Sequence, residues 1–163
     1  MKKTIFLAAL ICCSILFNSC TKEGPVGPAG PAGTNGSANV SSTDITISPS
    51  QWVWNASGGY LSAQVSCQSI TSSVINGGAV MAYTSDAGDY VAMPFTITGV
   101  SFAYDFVLGQ VEFLISLPDA SNPGTPTSAQ TYKVVTIPPA QRLAHPGIEH
   151  LGYGALKETL SIK

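Results

Sequence analysis

From Asp44 onward the chain is written in short apolar alternations separated by turn residues, and this pattern leaves few folds open. Leu61, Ala63, Val65 and Cys67 fall on one side of an extended run, as do Val100, Phe102, Tyr104 and Phe106, then Val111, Phe113, Ile115 and Leu117. Successive side chains of a strand point to opposite faces, so a period of two marks a strand with one face buried. Ile45 and Ile47 repeat the pattern, while Val80-Ala82 against Met81-Tyr83 is apolar on both sides. Tyr90 to Thr96 is a further apolar segment, and Pro94 inside it, lacking an N–H, marks an edge or a bulge. Tyr132 to Ile137 is rich in β-branched residues and stops at Pro138-Pro139. Turn composition separates these runs at Thr84–Asp89, Leu108–Gln110 and Asp119–Ser128. The expectation is an all-β domain, an antiparallel β-sandwich of roughly seven strands. Ile70–Asn76 has the makings of one helical turn. Leu151, Ala155, Leu156 and Leu160 suggest a short helical or irregular C-terminal tail capping one end of the sheets.

The N-terminal residues have a different logic. Lys2 and Lys3 precede an apolar run from Ile5 to Phe17, and the small Ser19 stands before Cys20. A positive start, a short apolar stretch and a small residue at the cut describe a secretory signal over 1–19. Leu16-Phe17-Asn18-Ser19-Cys20 resembles a bacterial lipobox, which implies a lipidated Cys20 as the first mature residue. Cys12 and Cys13 leave with the signal and acylation occupies Cys20, so Cys67 is the one thiol of the folded part and has no disulfide partner. Its place on the Leu61–Cys67 alternation makes it a core residue.

Between Cys20 and the first strand, glycine recurs at every third position from Gly24 to Gly36, with Pro25, Pro28 and Pro31 each following one. Collagen needs this spacing because only hydrogen fits at the triple-helix axis, but the run holds only four complete triplets, Gly24 to Asn35. In a single chain these prolines favour extended polyproline II, a spacer of roughly 35 to 40 Å. The organisation expected is a signal peptide over 1–19, a lipidated cysteine and stalk over 20–42, and a β-domain over 43–163. A monomer is favoured, with a trimer as the alternative if the domain or the lipids gather three stalks.

Charge excludes one class of partner. Removing Lys2 and Lys3 from seven basic residues leaves five against nine acidic ones, with no basic cluster to follow a phosphate backbone. His145 and His150 lie in H-P-G-I-E-H, five residues apart with Pro146-Gly147 between them, so no helix presents both to one metal ion. Asp86 and Asp89 flank a turn without the dense oxygen series of a calcium loop. Asp105 and Glu112 fall on adjacent predicted strands as a candidate carboxylate pair, read as two outward acids. No nucleophile elbow, P-loop or dinucleotide fingerprint occurs. The expectation is no catalytic residue, no metal and no cofactor. In Q-W-V-W-N, Trp52 and Trp54 share one side of an extended segment and Tyr60 follows a turn. These three are the candidate glycan-stacking residues, and core packing is the favoured alternative for the tryptophans.

Taken in order, Cys20–Gly36, Ala38-Asn39-Val40, Gln51-Trp52, Ile75–Tyr83, Met93-Pro94-Phe95-Thr96 and Tyr132–Pro138 resemble the small collagen-like lipoproteins of Bacteroidota. The resemblance implies an envelope-anchored β-domain and assigns no catalytic residue. Lys22-Glu23 resembles the acidic export tags of surface-displayed lipoproteins in that group, with one acid in place of several. The resulting expectation is a non-enzymatic cell-envelope protein, held through lipid on Cys20, most simply in the outer membrane, with its periplasmic or surface face open. Its role would be structural or adhesive toward an envelope protein or a glycan. A carbohydrate-binding module is the runner-up, and an envelope hydrolase ranks below both.

Overall fold

Alternation does produce strands here, and two sheets of them. The computed structural model describes residues 39–162 apart from Ala87, all within the compact unit Thr34–Lys163. Cys20, the signal expected over 1–19 and the Gly24–Gly36 triplets lie outside the described residues. Among the described residues nine strands form: β1 (Ser41–Ile47), β2 (Val53–Asn55), β3 (Tyr60–Ser66), β4 (Ala79–Asp86), β5 (Asp89–Ala92), β6 (Phe95–Ile97), β7 (Val100–Val107), β8 (Gln110–Ser116) and β9 (Gln130–Ile137). They pair antiparallel into a four-stranded sheet, β1-β9-β4-β5, and a five-stranded sheet, β2-β3-β8-β7-β6. The all-β sandwich expected from sequence is what the chain adopts.

The strand count exceeds seven for two local reasons. β2 is only three residues long, and the Trp52-Trp54 alternation there reads from sequence as an extended segment outside the seven strands. The segment Tyr90–Thr96, read from sequence as one run, is split at the cis Met93-Pro94 bond into β5 and β6, which lie at the edges of different sheets. Proline cannot donate to a ladder, and here it stands where the chain leaves one sheet for the other. After β6, Thr98 and Gly99 both take positive φ, 47° and 82°, as a two-residue hairpin of the I′ kind requires. β1 begins at Ser41, ahead of the boundary drawn at 43.

The sandwich core lies between the sheets. Ile45, Ile47, Val80, Ala82, Tyr132 and Val134 come from the four-stranded sheet, and Leu61, Ala63, Val111, Phe113 and Ile115 from the other. Phe113 and Tyr132 stack across the gap with centroids 4.1 Å apart, and Tyr104 donates its hydroxyl to the Val80 carbonyl at 2.8 Å. Cys67 joins this core just past the end of β3.

The C-terminal segment corrects an expectation: it does not cap an end of the sheets but covers a face. Pro139 starts α2 (Pro139–Ala144), following α1 (Ser72–Gly77) in the chain, and α3 (Tyr153–Leu160) closes the segment. Ile148, Leu156 and Leu160 pack on Met81, Tyr83, Val135 and Ile137, the outward residues of β4 and β9. That second core explains why Met81-Tyr83 is as apolar as Val80-Ala82. It also explains why β9 is buried from Tyr132 to Ile137 without alternation. At Gly78 an added Cβ would lie 2.2 Å from the Ile137 carbonyl oxygen, so only glycine lets α1 run into β4 beside β9.

Registers define two ends of the sandwich. Ser41 opposite Thr136, Ala79 opposite Ile137, and Ser66 and Val107 opposite Gln110 mark the root end, where the chain leads in from Asn39. Ile47 opposite Gln130, and Tyr60 and Ser101 opposite Ser116, mark the far end.

Candidate binding surfaces

The aromatic trio singled out from sequence is divided by the sheet. Trp54 sits opposite Leu61, and directly paired residues share a face, so Trp54 turns inward with the core. Tyr60, next to Leu61, turns the other way. Its hydroxyl accepts from the Asn55 side chain at 3.0 Å, and its ring packs over Gly58. Trp52 is 6% exposed and meets Tyr132 edge-on at 6.4 Å. As a glycan platform the three therefore have no common open face, and Trp52 is a core residue, the packing alternative. Its indole N–H finds no acceptor among the described residues.

Asp105 and Glu112 do come together, as a direct cross-strand pair between β7 and β8 on the open face of the five-stranded sheet. Partial burial, then the charge of Glu112, raises the Asp105 carboxyl above its usual value. Glu112 also stands opposite Gln64, and Gln64 donates to Gln110 at 2.9 Å. The surroundings are the outer face of the sheet, which carries hydroxyls and amides such as Ser62, Gln64, Ser101 and Gln110 together with the apolar Leu114 and Val53.

His145 ends α2 and His150 ends a 3-10 turn over Ile148–His150. Glu149 between them faces Arg142 at 3.6 Å. Its own backbone N–H is the main effect holding its carboxyl below the usual range; desolvation opposes it, and Arg142 and His150 add smaller lowering effects. Among the described residues no group of three or more His, Cys, Asp or Glu is placed to hold a metal ion.

The most enclosed charge is Lys133, on the outward face of β9. It pairs with Asp44 directly across on β1, and its ammonium lies 5.0 Å from the Tyr90 ring centre and 5.3 Å from that of Tyr153. Burial alone would lower its pKa, but the Asp44 hydrogen bond and the surrounding Asp44, Tyr153 and Tyr90 outweigh it and leave the amine raised. Tyr153 in turn lies 4.7 Å from Tyr90 and 5.4 Å from Tyr83, whose hydroxyl donates to the Leu151 carbonyl. This cluster is a clasp that holds the tail to the sheet.

A groove of about 340 Å³ opens at the far end. Phe102, Ile115 and Tyr132 form its wall, and Pro123, Thr125 and Pro126 of the loop between β8 and β9 form its lip. Two local turns shape that loop. The Asp119 carboxylate accepts from the backbone and hydroxyl of Ser121 at 3.1 and 2.8 Å, which holds its pKa below normal, and the Asn122 side chain accepts from Gly124 N–H at 2.9 Å. Sequence reasoning saw this loop only as a connection. Its signal was the spacing of Pro123 and Pro126 ahead of Tyr132, which acquires meaning only once β7 and β8 lie beside it.

No protein-family model matches the chain, and no curated protein and no solved structure matches it.

Proposed function

We propose that this chain is a lipid-anchored protein of the bacterial cell envelope whose β-sandwich is a non-catalytic structural or adhesive domain. The far-end groove is the observation that carries the reading. It is lined by rings, prolines and aliphatic side chains, with Thr125 and Gln130 as its polar points, which is the chemistry of a binding surface. It also lies opposite the end at which the chain leads in from Asn39. In this reading the segment that follows Cys20 in the chain enters the described domain at the root end, the end opposite this groove. Its occupant would be an apolar peptide segment of an envelope protein. A glycan is the second reading, favoured by the Phe102 ring at the wall, in place of the Trp52-Trp54-Tyr60 platform.

Two experiments bear on it. Labelled palmitate should appear on the protein and vanish in Cys20→Ala; label that survives the substitution overturns the anchor. Thr125→Arg, which fills the groove, should abolish binding to immobilised envelope proteins or a glycan array at unchanged thermal stability. Binding indifferent to Thr125→Arg removes the groove from the reading. Turnover of an ester, peptide or glycoside that one point mutation abolishes overturns the non-catalytic assignment.

A further inference from the structure

The exposed apolar side chains are not evenly spread. Of the eight large apolar side chains exposed among the described residues, Phe106, Val107 and Leu108 at the tip of the β7–β8 hairpin, Ile75 on α1 and Leu143 on α2 gather at the root end, with Leu108 62% and Leu143 79% exposed, while Val53, Val91 and Ile97 lie elsewhere on the sheets. Backbone hydrogen bonds tie the pieces together. Cys67 N–H donates to the Gly109 carbonyl at 2.8 Å and Gly109 N–H to the Ile70 carbonyl at 2.9 Å, and a side-chain bond from the Arg142 guanidinium reaches the Gly78 carbonyl at 3.2 Å. Asn39, Val40 and Ser41 share a groove at this same end with Ser69, Thr71 and Val74. Hairpin tips in water are ordinarily polar, and a cluster of large apolar residues on one surface marks a contact.

We propose that this root end rests on the bilayer that holds Cys20, with Phe106, Val107, Leu108 and Leu143 seated among the lipid headgroups. The inference rests on the lipid-anchor reading. The segment from Cys20 to Ala38 is nineteen residues long. It reaches roughly 25 Å as a flexible coil and about 60 Å as polyproline II. Because the segment joins at Asn39, the root end is the part of the domain it draws toward the membrane. Such a tether supplies a local concentration on the order of millimolar, so a weak apolar contact suffices to keep the end seated. The groove beside the tip suits a headgroup layer. Ser66, Gln68, Thr71, Ser72 and Gln110 line it with neutral hydroxyls and amides, and no carboxylate is among its described lining residues to repel anionic lipid.

The test uses the acylated mature protein in phosphatidylethanolamine/phosphatidylglycerol vesicles. Leu108→Cys and, separately, Leu143→Cys carry an environment-sensitive fluorophore; buried Cys67 leaves the parent chain as the unlabelled control. Ile97→Cys at the far end, where the side chain is 58% exposed, gives the reference. The labels at 108 and 143 should be blue-shifted and quenched several-fold more by doxyl-lipids than the label at 97. Equal, aqueous signals at all three positions on a chain that floats with the vesicles overturn the docking and leave the anchor intact. A shift at 108 without lipid quenching, growing with protein concentration in detergent, assigns the surface to a second copy and overturns it too. Mass analysis showing no acyl chain on Cys20 removes the anchor reading and this inference with it.

Discussion

The two sheets of the sandwich treat their outer faces in opposite ways. On the five-stranded sheet the outward residues are Tyr60, Ser62, Gln64 and Ser66 of β3 and Gln110, Glu112, Leu114 and Ser116 of β8, polar but for Leu114 and the Tyr60 ring, and none of them is buried. On the four-stranded sheet Met81, Tyr83, Val135 and Ile137 face outward from β4 and β9, with Lys133 beside them, and are buried under the C-terminal segment. Both sheets are antiparallel and share one core, so strand pairing does not separate them. The difference is a third layer. A sheet that keeps a wet face needs only its alternation, whereas a sheet apolar on both faces is stable only when something returns to cover it. The tail is therefore part of the fold, and the Lys133 clasp holds it where α3 meets β5.

That contrast can be broken at graded cost. The largest effect is expected from Leu156→Ala under α3, a loss of about 2 to 5 kcal/mol in urea unfolding with greater binding of hydrophobic dye, since the cavity opens between tail and sheet. A loss under about 1 kcal/mol would mean the tail is not cooperative with the sandwich.

Lys133→Met comes next, with a loss of about 1 to 2 kcal/mol at pH 8, from the Asp44 pair and two cation–ring contacts. The pH dependence has a definite sign. The folded amine is raised, so its contribution is whole below its unfolded pKa and disappears as pH climbs through the folded value. Burial also pushes the Tyr132 phenol up to about 12 and raises Tyr83, and these act in the same direction. Wild type should therefore lose stability steadily above about pH 10. The Lys133→Met variant should lose less over that window, as read by urea midpoints at pH 8 and pH 11; parallel losses would discard the clasp.

On the open face, Asp105→Asn should raise stability at pH 7 by about 0.2 to 1 kcal/mol, since like charges directly across a ladder repel. Asp105 has a raised folded pKa, so its cost is present above the carboxylate range and is relieved as pH falls through the folded value. Variant and wild type should converge in acid, and a gap that widens there would reverse the assignment. Val53→Thr, at a side chain 65% exposed on β2, should stay within about 0.5 kcal/mol in the same unfolding assay. A larger loss would mean that the open face is covered in solution.

Legibility followed the same division. β3, β7 and β8 stood out because each has one wet face, and wet faces write alternation into the chain. β9 registered only as a β-branched run, and Met81-Tyr83 beside Val80-Ala82 only as apolar on both sides, since a doubly buried strand leaves no polar partner to mark its period. The aromatic trio illustrates the limit for sites. Trp52 and Trp54 were rightly placed on one side, yet whether that side was core or solvent depended on Leu61 arriving opposite Trp54. The far-end groove was invisible because its wall and lip come from β7, β8, β9 and a loop that meet only in space.

By itself the sequence determined the class of fold, the order of its strands and connections (though β4 runs on to Asp86, into the stretch Thr84–Asp89 read as a turn), the core position of Cys67 and the exclusion of a shared helical metal site for His145 and His150. These follow from local constraints: side-chain period, proline and glycine backbone limits, and ligand spacing. Tertiary structure alone decided that Pro94 carries the chain between sheets, that the tail covers a face, that the two tryptophans and Tyr60 part company, and that Phe106, Val107, Leu108 and Leu143 gather at one end. Each depends on which distant segment arrives opposite, and burial is a property of that meeting.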